Sequence, residues 1–197
     1  MTQPYLALPR VPLAPQARYC RPASPTQKVT MESPAMSVMT DLERVMAVTI
    51  GPAATIETAN QRMIDAAVRL LFVVDSDKRI VGLITATDIL GEKPMRHQQR
   101  VGGTFSDILV CDIMTPHAGL DVLNLRDVFR ARVGDIVASL KSFGRQHALV
   151  AERNGDSDTH RVRGIFSATQ IGRQLGVNVV PGEIASTFAE LEAVLSS

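Results

Sequence analysis

Val81-Gly82-Leu83-Ile84-Thr85-Ala86-Thr87-Asp88-Ile89 and Arg163-Gly164-Ile165-Phe166-Ser167-Ala168-Thr169-Gln170-Ile171 are two copies of one pattern. Each is an apolar strand ending in a hydroxyl residue, followed by Ala-Thr, an acid or its amide, and Ile. An internal repeat constrains the architecture before any single residue is interpreted, because each unit must bury its apolar face on a neighbour. The copies differ at one chemically decisive position, Asp88 against Gln170.

The repeat reaches further back. Ser37-Val38-Met39-Thr40 is echoed by Asp112-Ile113-Met114-Thr115, 75 positions on (Thr40 to Thr115), whereas the strand element recurs after 82 (Gly82 to Gly164). The second unit is therefore longer. Its extra residues are expected in the loop from Arg153 to His160 and around Asn124 to Gly134. Two units are too few for an open solenoid, which needs about three, so they are expected to close on each other face to face.

Composition narrows the function classes. The chain has 197 residues, 45% hydrophobic and 21% charged, enough to bury a core in one or two small domains. A net charge of +1 gives no general attraction to nucleic acid or anionic membrane. Two cysteines, Cys20 and Cys111, make no disulfide framework. Apolar runs such as Leu70–Val74 are far shorter than the roughly 18 residues a membrane span needs, and prolines interrupt the N-terminus where a signal peptide would be apolar. A cytoplasmic protein is expected.

Residues 1–28 hold most of the prolines and read as an extended tail. Val45 to Ile50 reads as a strand stopped by Gly51-Pro52. Thr55 to Ala67 places Ile56, Ala59, Met63 and Ala67 at helical spacing. Leu70–Val74 and Ile80–Ile84 read as paired strands, with a short helix opening at Thr85. Residues 91–108 read as a polar, basic connector with Gly102-Gly103 as its joint. In the second unit, Asp135 to Phe143 presents Ile136, Val137, Leu140 and Phe143 on one face. A last helix, Gly182 to Leu195, carries the stripe Ile184, Phe188, Leu191, Leu195, fit to dock on the core or a second subunit.

The doubled Gly-x-x-Thr/Ser-x-x-Asp element, the Met-Thr lead-ins and the strand Leu71-Phe72-Val73-Val74-Asp75 resemble a pair of cystathionine-β-synthase (CBS) domains, the tandem unit called a Bateman module. The resemblance covers about residues 35–178. It implies an α/β (α+β) fold of two β-α-β-β-α repeats packed about a pseudo-twofold axis. The expected organisation is a tail (1–28), repeat one (29–91), a connector (92–109), repeat two (110–178) and a C-terminal helix (179–197). Phe72 departs from the family, which often has Pro before its apolar strand.

Thr85 and Asp88 stand three apart at a helix start. One reading is a capping box, in which the hydroxyl accepts from a backbone N–H and the later side chain reaches back. That reading fits Ser167 with Gln170 fully and Asp88, one methylene short of Glu, only in part. The other reading is a ligand site: helix N–H groups and the Thr85 and Thr87 hydroxyls for a phosphate, the Asp88 carboxylate for vicinal ribose hydroxyls. The resemblance implies the same roles for Thr85 and Asp88, and adds Arg69 and Leu70 at the head of the apolar strand, where Arg69 also reads as a solvated strand-end arginine. Ser167, Thr169 and Gln170 make a weaker second site, since an amide lacks the charge that strengthens such hydrogen bonds.

Arg96, His97 and Arg100 read as a solvated charged face. The four histidines lack metal-ligand spacing, and no catalytic set converges, so neither metal nor enzyme activity is expected. The expected function is a non-enzymatic regulatory module. It would bind an adenosyl ligand (AMP, ADP, ATP or S-adenosylmethionine), with no required cofactor, and signal to an effector protein as a homodimer, with no nucleic-acid or membrane partner. The alternative is a structural interaction module that binds no nucleotide.

Overall fold

The computed structural model describes Pro12, residues 29–153 and residues 160–176. The remainder of the Pro-rich tail and the C-terminal stripe from Ile184 to Leu195 lie outside the described residues.

A turn of 3₁₀-helix at Ala35–Val38 leads into β1 (Thr40–Asp41), followed by β2 (Thr49–Ile50), α1 (Ile56–Asp65), β3 (Leu70–Val74), β4 (Ile80–Thr85) and α2 (Ala86–Leu90). After α3 (Lys93–Val101) the order returns: α4 (Val110–Ile113), β5 (Thr115–Pro116), β6 (Val122–Asn124), α5 (Leu125–Val128), α6 (Val133–Phe143), β7 (His147–Arg153), β8 (His160–Ser167) and α7 (Ala168–Leu175). These strands form two four-stranded sheets, ordered β2-β3-β4-β5 and β1-β8-β7-β6.

The edge strands are exchanged. β1, the lead-in of the first repeat, pairs with β8 of the second (Thr40 with Ile165, Asp41 with Gly164). Reciprocally, β5 pairs with β4 (Thr115 with Leu83, Pro116 with Gly82). The preceding segments cross as well: Val133 N–H donates to Ser33 O and Ile56 N–H to Ile108 O, at 2.9 and 3.0 Å. Arg163 locks one crossing by pairing with Asp41 and, at 2.8 Å, with Glu43. The Glu43 backbone amide and the Arg163 guanidinium hold the Asp41 carboxyl below its usual range.

This exchange explains why Gly and Met recur together. A Cβ on Gly82 would lie 2.7 Å from both Met114 Sδ and the Thr115 carbonyl oxygen, and one on Gly164 would run into the Met39 side chain. Each glycine makes room for the methionine of the opposite lead-in. Gly82→Ala is expected to cost about 1–3 kcal/mol, the usual range for overpacking. Gly164→Ala should cost less, because a methionine side chain can re-orient where a backbone carbonyl cannot. Urea denaturation of the two variants checks the order, and equal losses would contradict it.

The strands alternate faces. Leu71, Val73 and Ile84 pack with Ile56, Ala59 and Met63 of α1 and with Ile108, Val110 and Ile113 from the crossing segment. In the other half Val150 and Phe166 pack with Ile136, Val137 and Leu140 of α6 and with Ala35, Val38 and Met39. Leu70, Phe72, Leu83 and Leu149 turn inward and join the two halves.

The structure corrects several expectations. The strand over Val45–Ile50 is only Thr49–Ile50 long, although Val48 O still accepts from Phe72 N–H at 3.0 Å. Ala67 is exposed, not on the buried face, because α1 ends at Asp65 and Ala67 takes a left-handed φ of 52° that turns the chain out. Phe143 is 46% exposed on the last turn of α6. The connector holds a regular helix, α3, with Pro94 in its first turn and Gly102 as its C-cap, the arrangement expected of proline and glycine at helix ends. The insertion around Asn124–Gly134 is occupied by α5, capped by the Asn124 side chain.

Candidate functional site

Two cavities lie between the repeats, one beside each copy of the opening motif. The first, about 210 Å³, is lined by Leu70, Leu83, Thr85, Thr87 and Asp88 of repeat one and by Gly144, Arg145, Gln146 and His147 of repeat two, with Thr115 and Leu120. The second, about 440 Å³, has Ser167, Thr169, Gln170 and Arg173 of repeat two facing Ala67, Val68, Arg69 and Leu70 of repeat one, with Thr40. Leu70 and His147 line both, so the cavities share a wall.

The first cavity therefore brings together Thr85, Thr87, Asp88 and Leu70, as the sequence reading expected. Arg69 is placed elsewhere, in the second cavity with Ser167, Thr169 and Gln170. The reason is the turn before each inner strand. It feeds the motif helix of its own repeat through the backbone (Ala86 N–H to Arg69 O and Ala168 N–H to Gln146 O, both 2.9 Å) while its side chain reaches the opposite cavity. Gln146 and His147, missed in the sequence, occupy in repeat two the places of Arg69 and Leu70. Aligning His147-Ala148-Leu149-Val150 on Leu70-Leu71-Phe72-Val73 would have found them, since His147 pairs with Ser167 as Leu70 pairs with Thr85.

The capping roles are the reverse of those expected. Thr85 Oγ1 accepts from Asp88 N–H at 3.3 Å, and Asp88 Oδ2 accepts from Thr85 N–H at 2.8 Å and from the Thr85 hydroxyl at 2.7 Å. Ser167 makes no such cap; Gln170 Oε1 instead accepts from the Thr40 hydroxyl of the crossing strand at 3.1 Å. Aspartate reaches back readily because its helices start from an extended cap residue: Asp107, Asp112 and Asp135 accept from the N–H three residues earlier at 2.8–2.9 Å. Two of the α2 amides that a phosphate at this helix start would use are thus already bonded, at Ala86 and Asp88.

Lys93 completes the electrostatics around Asp88. Its ammonium lies 2.6 Å from Asp88 Oδ1 and donates to Ile113 O at 2.9 Å. Arg145, which also lines this cavity, donates to Gly119 O at 3.0 Å. Burial pushes the His147 imidazole down from 6.5 to about 4, the Arg69 charge adds to this, and Asp88 opposes it. Gln146 is 7% exposed, and its amide nitrogen has no protein partner. Among the described residues no cluster of His, Cys, Asp or Glu could hold a metal, and no helix is long and apolar enough to cross a membrane.

Residues 36–94 match the family described as CBS domain. No curated protein matches the chain. Among solved structures, an uncharacterized conserved protein from Pyrococcus horikoshii is similar at 22% identity over 74% of this chain and 93% of its own, with a TM-score of 0.51. A CBS-domain containing protein from Agrobacterium tumefaciens is 20% identical over 68% and 88%, with a TM-score of 0.50. A CBS domain designated NE2398 is 20% identical over 72% and 96%, again at 0.50. The matched segment, the repeated element order and the exchanged edge strands agree: this chain carries a CBS domain at residues 36–94 and has the fold of a tandem CBS-domain pair.

Proposed function

We propose that this protein is a regulatory module that binds an adenosyl ligand of the AMP, ADP, ATP or S-adenosylmethionine kind in the cavity beside Asp88, and signals to a partner protein without catalysing a reaction. The observation that carries this reading is Gln146. Its buried amide nitrogen has no protein partner, and its side chain lines the same cavity as Asp88. Leaving such a donor unpaired costs about 1–3 kcal/mol, and a turn of the Gln146 side chain into the cavity would let an acceptor on a bound purine recover it.

Asp88 supplies the matching acceptor. A carboxylate offers about four lone-pair sites, and Thr85 N–H, the Thr85 hydroxyl and Lys93 use three of them. Seating both hydroxyls of a ribose requires Lys93 or the Thr85 hydroxyl to move. Ligand binding is thereby coupled to α3, which carries Lys93 and packs on α2 and α4. A ligand shifts such an arrangement only by its differential affinity for the two states. The output belongs to a contact with an effector protein or to rearrangement of a homodimer in the cytoplasm. Exposed Leu90 and Met95, close in sequence to the moving contact, offer apolar surface for either.

Isothermal titration with adenosine and AMP tests the site. Asp88→Asn is expected to weaken adenosine roughly tenfold or more, as loss of a hydrogen bond to a charged group does, with little change in melting temperature. Asp88→Ala removes the cap as well and should lower ligand-free stability by about 1 kcal/mol. A second reading, a structural interaction module with no bound nucleotide, is favoured by the repeated capping aspartates Asp107, Asp112 and Asp135. It requires unchanged behaviour in Asp88→Asn, no adenosine binding, and the stability loss in Asp88→Ala alone.

A further inference from the structure

Lys93, Arg96, His97 and Arg100 follow one another along α3 at i, i+3, i+4 and i+7, so the four side chains share one face of the helix. They line a recess of about 330 Å³ that α4 closes with Asp112 and Ile113, and the chain after it with Met114. The recess has no lining residue in common with either cavity between the repeats.

Positive charge is gathered here against local preference. Residues 93–101 include Lys93, Arg96 and Arg100 and no acid. Like charges at these spacings repel one another, and Lys93 stands in the first turn, where the helix dipole disfavours a cation. The nearest acids leave donors over. Glu92 pairs with Arg96 in an exposed contact, and Asp88 pairs with Lys93. Among the described residues Arg100 has no salt-bridge or hydrogen-bond partner. Neither ring nitrogen of His97 is hydrogen-bonded: Nδ1 is buried without a partner, and Nε2 lies 3.9 Å from Asp112 Oδ2. Carboxylates entering the recess would relieve the repulsion and use these donors.

The walls favour a protein segment over a nucleic acid. Asp112 opposes a run of phosphates, Ile113 and Met114 offer an apolar floor that a sugar-phosphate backbone leaves unused, and the whole chain carries only +1. We propose that the recess between α3 and α4 docks acidic side chains of a partner protein, with carboxylates on Arg96 and Arg100 and an apolar side chain against Ile113 and Met114. Lys93 is shared between this surface and the interior. Its ammonium lies 2.6 Å from Asp88 Oδ1 while the residue lines the recess, so a docked carboxylate competes with Asp88 for it. Docking does not depend on the Asp88 reading; where an adenosyl ligand displaces Lys93 from Asp88, the recess is the surface that receives it.

The test is fluorescence anisotropy with the full chain and three labelled probes: a capped peptide of glutamates around one leucine, its glutamine analogue, and a DNA duplex of equal charge. The glutamate peptide is expected to bind, more weakly as salt rises, and the glutamine analogue is not. Replacing both arginines, Arg96→Gln with Arg100→Gln, should weaken the peptide about tenfold or more, the scale of lost hydrogen bonds between charged groups. Both are exposed, so the double variant retains the fold. Arg130→Gln removes an exposed charge outside the recess and is expected to leave the affinity unchanged. Asp88→Asn, which releases Lys93, should tighten the peptide about two- to fivefold, the scale of a partly exposed ion pair, and adding Lys93→Gln should cancel that gain. The proposal is overturned if the glutamate peptide does not bind the natural protein, if the double variant binds it as tightly, or if Arg130→Gln loses as much. Tighter binding of the DNA, lost with the same two arginines, would overturn the partner class. Unchanged peptide affinity in Asp88→Asn would overturn the competition for Lys93. Failure of adenosine to bind would count against the Asp88 reading and alter none of these arms.

Discussion

Phe72→Ala is expected to destabilise the protein by about 3–5 kcal/mol, the range for truncating a fully buried aromatic side chain. Phe72 is 2% exposed at the centre of β3. It packs with Leu70, Leu83 and Leu149, the cluster through which the two sheets meet. The lost volume therefore opens a cavity between the repeats rather than within one. Since each repeat also lends its edge strand to the other sheet, the two halves should unfold together. Urea denaturation followed by circular dichroism should show one transition, moved to lower urea with its slope retained. Phe72→Leu, which keeps most of the volume, should lose less than about 1.5 kcal/mol. Two separate transitions, or a loss below about 1 kcal/mol in the alanine variant, would show that the inner cluster does not bind the halves into one unit.

Acidification is expected to remove on the order of 3 kcal/mol of stability through His147 alone. Burial and Arg69 lower its folded-state value from 6.5 to about 4, against the opposing pull of Asp88. The unfolded chain therefore takes up a proton on this residue before the folded protein does. Stability is full above pH 6.5, falls as pH drops from about 6.5 to about 4, and is flat with respect to this group below that. His147→Leu supplies the control, because Leu70 occupies the equivalent place in repeat one. The other histidines are common to both proteins, so the difference between the two stability profiles isolates His147. Parallel profiles between pH 6.5 and 4 would mean that the imidazole is solvated in the folded state.

Much of the fold was legible because the repeat carries its own register. Leu70–Val74 and the strand opening at Ile80 sit where the continuous apolar run and the turn signal beginning at Asp75 place them. The buried face of α1 was readable from Ile56, Ala59 and Met63 at helical spacing. Helix α3 carries its own end signals in Pro94 and Gly102, although the sequence reads as a polar connector there. A nine-residue helix with Arg96 paired to Glu92 is compatible with a solvated face. The short β6 escaped pattern reading, and the strand expected over Val45–Ile50 is only two residues long as β2, because strands of two or three residues have no period to detect.

The candidate site was legible only by halves. Thr85, Thr87 and Asp88 lie together because one helix start holds them, a local fact that three-residue spacing encodes. Arg69 shares their repeat and yet faces the other cavity, and Gln146 and His147 come to Asp88 from more than fifty residues away. By itself the sequence determined two units, their internal order and the motif that opens each last helix, because these rest on periodicity and near-neighbour chemistry. Only the tertiary structure decided that Gly82 accommodates Met114 and Gly164 accommodates Met39, that edge strands are traded between sheets, and that Arg69 faces the cavity beside Gln170 while Gln146 and His147 face the one beside Asp88. The physical reason is that a pseudo-twofold pairing places each unit's turns against the other unit's motif, and side-chain periodicity along one strand carries no information about which unit it will face.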